Sequence, residues 1–206
     1  MSSIIDSMRS EIVERSNLFE EKYRRTKDEY NLFREHVQFV HKYVVLLAKE
    51  KDVDREVLEL SALLHDISMT DGSLERSKHN EFSASIAEEL LRRESYPEEK
   101  IHLVKKCILN HSSKRAGFRT TKEEQILVDA DGLSHFDAIN SLYSLANKVM
   151  GLSDAEAISF IQDKLTKDFL EISEEVTICL SSKHDCTTLH DGRSVHVDGS
   201  TQWNGE

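Results

Sequence analysis

Apolar residues recur at helical spacing along most of the chain. One stripe runs through Val40, Val44 and Leu47, which is typical of a buried helix face, and it also includes His36. Asp54 is a suitable N-cap, because its side chain can accept a hydrogen bond from a backbone N–H of the first helical turn. The pattern predicts helices over residues 8–50, with a break near 28–31, and then over 54–66, 78–94 and 97–112.

Two capping boxes mark helix starts in the second half of the chain. In this motif a Ser or Thr side chain and a Glu side chain three residues later each bond the other's backbone N–H. Thr121 pairs in this way with Glu124, and Ser153 pairs with Glu156. Together with the apolar spacing, they predict helices over residues 121–131, 133–150 and 153–180, the second of them interrupted or bent near its start.

Residues that break helices are scarce, because the chain has only 1 Pro and 7 Gly in 206 residues. This scarcity favours helices over short strands and turns. We therefore predict an all-α helical bundle that forms a single domain over residues 1–180. Residues 181–206 are rich in polar residues and lack apolar periodicity, so we expect a flexible polar tail there.

Charge and cysteine content limit the classes of function. The net charge of −11 argues against a DNA or RNA partner, because nucleic-acid binding depends on basic patches. Three cysteines without a paired spacing are typical of a reducing compartment. No signal-peptide core and no apolar stretch of about 18 residues is present. We expect a cytoplasmic protein without a membrane partner, and the amphipathic first helix is a possible homodimer surface.

The dipeptide His65-Asp66 directly follows the apolar run LSALL at residues 60–64. A buried carboxylate costs several kcal/mol unless a partner compensates its charge. Together with His36 and Asp131, which end or line other apolar stripes, this pair would form a mixed nitrogen and oxygen ligand set for a divalent cation. Taken singly, each residue is better explained as a core histidine or a helix cap.

Three segments carry a resemblance to a known family: HVQFV at 36–40, SALLHDI at 61–67 and DADGL at 129–133. In this order they resemble the His, His-Asp and Asp pattern of the HD superfamily of metal-dependent phosphohydrolases. They are most similar to small bacterial single-domain members, some of which are nucleotide pyrophosphohydrolases. The resemblance covers about residues 20–175 and implies an HD-domain helical bundle.

The resemblance implies roles for specific residues. It makes His36, His65, Asp66 and Asp131 the metal ligands, with Asp129 as the alternative to Asp131 and His41 as a weaker competitor of His36. It also implies catalytic roles for Asp66, His79 and His111, with the two histidines completing a second metal site or contacting phosphate. The expected cofactor is a divalent cation, namely Mn²⁺, Mg²⁺, Co²⁺, Ni²⁺, Fe²⁺ or Zn²⁺.

One position departs from the family pattern. Related members often carry Lys or Arg where this chain has Gly132. The missing cation would have to come from elsewhere, and the sequence offers Lys78, Lys114 and Arg115 as phosphate-binding residues, with Arg119 as a further choice.

The expected activity is hydrolysis of a phosphoester or phosphoanhydride bond, with a nucleotide as the expected substrate and pyrophosphate release from a nucleoside triphosphate as the leading subclass. Two other functions stay open. One is a catalytically inactive domain that senses a nucleotide or binds a protein, and the other is an HD-type oxygenase with two irons.

Overall fold

The computed structural model describes residues 3–23, 30–72 and 75–181. Every regular element within these ranges is helical, which confirms the predicted all-α class. The nine α-helices of this part of the chain are α1 Ile4–Tyr23, α2 Gln38–Leu47, α3 Arg55–Leu64, α4 His79–Arg93, α5 Glu98–Asn110, α6 Lys122–Asp137, α7 Ile139–Ser144, α8 Asp154–Glu171 and α9 Glu174–Ser181.

Shorter turns connect several of these helices. Two of them are π-helical, Phe33–Val37 directly before α2 and Leu145–Val149 directly after α7. The others are 3₁₀ turns at Ile67–Thr70, Arg76–Lys78 and Ser113–Phe118. Wider turns of the π type occur often at functional sites, because the extra residue redirects side chains.

Helix α3 lies at the centre of the bundle. Its apolar run places Leu58, Leu60, Leu63 and Leu64 in the core with no exposed surface. The helix packs against α1, α2 and α5. Asp54 caps its first turn by accepting a hydrogen bond from the backbone N–H of Val57 at 3.1 Å, as predicted. The residues that follow α3 therefore lie in the interior of the bundle.

Both predicted capping boxes are present, at the start of α6 and of α8. The helix boundaries after them differ from the prediction. Helix α6 continues to Asp137, past the end predicted near residue 131, and the interruption predicted near the start of the 133–150 helix lies at Ala138. The long helix predicted over 153–180 is divided, because the backbone of Ile172 is extended after α8.

The helices up to Ser173 form one compact unit, and α9 belongs to a second. The predicted tail at 181–206 lies, apart from Ser181, outside the described residues, so the tail stays a prediction. No helix in the described part of the chain is long and apolar enough to cross a membrane.

Candidate metal centre

The end of α3 separates the side chains of His65 and Asp66. His65 retains helical backbone angles, but Asp66 leaves the helix with φ −115°. The imidazole of His65 is completely buried. Its Nδ1 donates a hydrogen bond to the carbonyl oxygen of Ala62 at 2.8 Å, which turns Nε2 toward the centre of the bundle.

His36 reaches the same point from the π-helical turn before α2. Its Nε2 lies 3.0 Å from Nε2 of His65, and its ring is nearly buried. Asp131 reaches it from α6, with Oδ1 at 3.2 Å from Nε2 of His36 and at 3.8 Å from Nε2 of His65. These three residues form one candidate ligand set whose donor atoms all lie within 4.8 Å of one another.

The two competing residues are engaged elsewhere. Asp129 accepts hydrogen bonds from Gln125 at 2.8 Å and from the backbone N–H of Ser173 at 2.8 Å, so its carboxylate holds the end of α8. His41 contacts Glu59 at 2.9 Å and Arg9 at 3.2 Å. The structure thus brings His36 and Asp131 into the cluster rather than their alternatives.

A second candidate ligand set lies next to the first and consists of Asp66, His79 and His111. His79 is the first residue of α4, and His111 follows the last residue of α5. Their Nε2 atoms lie 3.2 Å apart and 3.6–3.7 Å from Oδ1 of Asp66. The other carboxylate oxygen of Asp66, Oδ2, lies 3.8 Å from Nε2 of both His36 and His65. Asp66 therefore presents one oxygen to each set.

The proton positions of the four histidines follow from their outer hydrogen bonds. Nδ1 of His65, His79 and His111 each faces a backbone carbonyl oxygen, which can only accept. Nδ1 of His36 faces the hydroxyl of Ser134 at 3.3 Å, and that hydroxyl donates to the carbonyl of Asp131. In the neutral rings every Nε2 is therefore a lone pair directed into the cluster. Such outer partners are how proteins orient metal-binding histidines.

The electrostatics of the cluster fit one or two cations. Within the described part of the chain, Oδ1 of Asp66 and Oδ1 of Asp131 are buried atoms without a hydrogen-bond partner. Burial alone would raise the pKa of each carboxyl group, but attraction to the surrounding histidines lowers both pKa values below the usual range. Burial lowers the pKa of His111 to about 4, so this ring is neutral near pH 7. Ionised carboxylates and neutral imidazoles are the forms that bind divalent metals.

Sequence reasoning missed a histidine next to the first ligand set. His135 stacks on His36 with ring centroids 4.9 Å apart, and its Nε2 lies 3.8 Å from Oδ1 of Asp131. Its Nδ1 lies 3.1 Å from Asp168, which in turn accepts a hydrogen bond from Lys164 at 2.7 Å. Residues 131 and 135 are four positions apart on one helix, so this spacing could have revealed the pair. The predicted break after Asp131 concealed it.

The cluster forms the floor of a cavity of about 300 Å³. Apolar side chains from several elements make up much of its wall, among them Phe19, Leu32, Leu142, Leu145 and Phe160. Its cations are Arg76, Lys164 and Lys167.

The basic residues predicted to bind phosphate lie outside this lining. Lys78 pairs with Glu75 on the surface, Lys114 is exposed, and Arg115 packs over the ring of Phe118. Arg119 holds the segment after α5 through the carbonyl groups of residues 110–112. Among the described residues, the cations that do line the cavity are Arg76, from the same turn as Lys78, and Lys164 and Lys167, from α8, which the sequence alone did not place beside the centre.

The fold and the cluster together define a helical protein with a candidate centre for one or two divalent metal ions. A model of the HD domain family matches residues 33–135, and the chain belongs to this family, which is a superfamily of metal-dependent phosphohydrolases. The match spans the chain from the π-helical turn that carries His36 to His135. Searches of curated proteins and of solved structures returned no significant match.

Proposed function

We propose that the protein hydrolyses a phosphoester or phosphoanhydride bond of a nucleotide. The observation that carries the proposal is the convergence of four histidine Nε2 atoms with two partnerless carboxylate oxygens at the floor of one cavity. The lone pairs of neutral imidazoles and the oxygens of carboxylates repel one another at these short distances unless a cation lies between them. A divalent cation bound there lowers the pKa of a coordinated water and polarises a phosphoryl oxygen.

The residues of the two ligand sets have different proposed roles. His36, His65, Asp66 and Asp131 would hold the cation, and the other oxygen of Asp66 faces His79 and His111. Asp66 would also orient the attacking water, because its carboxylate faces both ligand sets. His79 is the most exposed of the four histidines, with 27% of its side chain accessible, so it faces the phosphate oxygens of a substrate in the cavity.

The cavity wall supports a nucleotide as the substrate. Phe19, Tyr30 and Phe160 offer aromatic surface to a nucleobase. The cations Arg76, Lys164 and Lys167 offer charge to the phosphates of the same molecule. Within this class, cleavage of a nucleoside triphosphate to a monophosphate and pyrophosphate is the leading reaction.

A panel of nucleoside mono-, di- and triphosphates tests the proposal. Each is incubated with metal-free protein and then with Mn²⁺, Co²⁺ or Mg²⁺, and the release of phosphate and pyrophosphate is measured. We expect metal-dependent release that disappears in His65→Ala. His41→Ala is the matched control, because that histidine lies away from the cluster and should keep full activity. Nucleotide binding without any release would instead indicate a catalytically inactive sensing domain.

The two adjoining ligand sets also suit a pair of irons, so an HD-type oxygenase is the second candidate function. Asp66 presents one oxygen to each set, as a bridging carboxylate does. Elemental analysis of protein purified without a metal-binding tag distinguishes the two functions. Two irons per chain, with a visible absorption band, would favour the oxygenase, and manganese, magnesium or zinc in place of iron would favour the hydrolase.

A further inference from the structure

A lysine on α8 lies beside the metal centre without belonging to either ligand set. Lys164 lines the cavity, and 31% of its side chain is exposed. Its Nζ donates a hydrogen bond to Oδ1 of Asp168 at 2.7 Å. An ammonium group has three N–H donors, so this contact leaves donors for a ligand in the cavity.

The carboxylates around Lys164 keep its ammonium group protonated and fix its position. Burial alone would lower the pKa of the ammonium, but Asp131 and Asp168 raise the pKa above its usual value. Asp168 is itself nearly buried and lies between Lys164 and His135. The ammonium therefore stays protonated and is anchored next to the cluster rather than moving freely in solvent.

The other two cations of the cavity differ from Lys164 in this respect. Arg76 and Lys167 also line the cavity, but both residues are exposed. Water and salt screen an exposed charge more strongly than a half-buried one. A phosphate in the cavity would therefore interact most strongly with Lys164.

Gly132 explains how α8 comes close enough to supply this lysine. A Cβ atom at position 132 would lie 3.1 Å from Cγ1 of Ile172 and 3.5 Å from Cβ of Asp168. The absence of a side chain on α6 thus makes room for the last turn of α8. Asp168 then reaches His135 and Lys164 at the edge of the centre.

We propose that Lys164 binds the phosphoryl group of the substrate directly and that Asp168 positions its ammonium for that contact. This inference deepens the proposed phosphohydrolase function and rests on it. The ligand class is a phosphate ester or anhydride, one phosphoryl oxygen of which would accept a hydrogen bond from Nζ of Lys164 beside the metal centre.

The test measures binding of inorganic phosphate to the manganese-loaded protein by isothermal titration calorimetry. We expect Lys164→Met to bind phosphate about tenfold or more weakly, as the loss of one charge-assisted hydrogen bond implies. Lys122→Met is the control, because Lys122 is an exposed lysine at the start of α6 outside the cavity lining, and it should stay within about twofold of wild type. Manganese content, measured by elemental analysis, should be equal in all three proteins.

Two further variants guard against a folding artefact. Lys164→Met alone leaves the buried Asp168 without its cation, which is destabilising. The double variant Lys164→Met with Asp168→Asn removes both charges together, and it too should lose phosphate affinity. Lys164→Arg keeps the positive charge and should recover part of the affinity. Wild-type phosphate affinity in a manganese-loaded double variant would overturn the inference.

The outcome separates this inference from the proposed function. Phosphate binding that depends on Lys164, in a protein that hydrolyses none of the nucleotides, supports the inference and counts against the hydrolase. Hydrolysis with an unchanged KM in the manganese-loaded Lys164→Met variant supports the hydrolase and overturns the inference.

Discussion

Two carboxylates of helix α6, those of Glu124 and Asp131, lie about two helical turns apart, and their surroundings are opposite in kind. Glu124 has no exposed surface, yet both of its oxygens have partners. Oε1 accepts a hydrogen bond from Asn110 at 2.6 Å, and Oε2 accepts one from the backbone N–H of Thr121 at 2.9 Å. Asp131 is surrounded by histidines, and its Oδ1 has no hydrogen-bond partner.

Two consecutive residues at the end of α5, Asn110 and His111, show the same contrast. Asn110 donates to Glu124, whereas the next residue, His111, directs the Nε2 lone pair of its neutral ring into the cluster. A carboxylate whose partners are N–H donors is complete without further ligands, and it stabilises the fold. A carboxylate whose partners are lone pairs is complete only when a cation binds. The comparison therefore supports a stabilising role for Glu124 and Asn110 and the proposed metal-binding role for Asp131 and His111.

Replacing Asp66 by Asn should give the largest effect. The amide loses the charge that both ligand sets share, so we expect metal content to fall and activity to drop by more than about a hundredfold, beyond the usual loss for an outer partner of a metal ligand. The metal-free variant should keep the free energy of unfolding within about 1 kcal/mol of wild type, because no protein donor loses an acceptor. Elemental analysis and urea unfolding measure both quantities. Full metal content in this variant would contradict the ligand assignment.

The matched substitution Glu124→Gln should do the reverse. Its amide group cannot accept from Thr120, Thr121 and Asn110 together, so we expect the free energy of unfolding to fall by about 2–3 kcal/mol. Metal content per folded chain should stay at the wild-type value. Urea unfolding of the metal-free protein and elemental analysis of the folded protein check the two halves of this prediction. A loss of metal with unchanged stability would reverse the roles assigned to Glu124 and Asp131.

The carboxylate of Glu124 should also make the free energy of unfolding depend on pH. Burial alone would raise the pKa of Glu124, but hydrogen bonds from Asn110, Thr120 and Thr121 lower it below the usual value of 4.5. The stabilisation is therefore complete above pH 4.5 and is lost as the pH falls through the lower pKa of the folded state. We expect the stability difference between wild type and Glu124→Gln to be constant from about pH 5 to 7 and to narrow below that range. A difference that stayed constant down to pH 3 would refute this origin.

The smallest expected effect is that of Gly132→Ala. The added Cβ would press on Ile172 at 3.1 Å, which costs about 1 kcal/mol or more, but alanine gains about 1 kcal/mol over glycine inside a helix. We expect a net change in the free energy of unfolding below about 1 kcal/mol, with metal content unchanged. Phosphate affinity should weaken slightly, because Asp168 is displaced together with Ile172. A large gain in stability would show that α8 does not pack closely at this position.

The parts of the centre that could be predicted are those that depend on local sequence. His65 and Asp66 follow an apolar run. Helix α3 ends at Leu64, and the change in backbone angles at Asp66 points its side chain in a different direction from that of His65. The segment DADGL contains Asp131 but did not distinguish it from Asp129. That choice depends on Ser173, which binds Asp129 from the far end of α8.

The parts that could not be predicted depend on packing between distant helices. Lys164 and Asp168 show only an ordinary salt-bridge spacing on a surface helix, and nothing local places them beside Asp131. Lys78, Lys114 and Arg115 were predicted to replace the cation that is missing at Gly132. They lie outside the cavity lining, and Lys78 and Arg115 form their own surface contacts.

The outer hydrogen bonds of the histidines also have a consequence for how the protein tolerates mutation. Three of the four rings are oriented by the carbonyl group of the residue three positions earlier, an atom that every amino acid provides. Substitutions at those preceding positions therefore leave the anchoring atoms in place. The ring of His36 is different, since it depends on the hydroxyl group of Ser134. A single substitution at Ser134 can therefore change the orientation of His36.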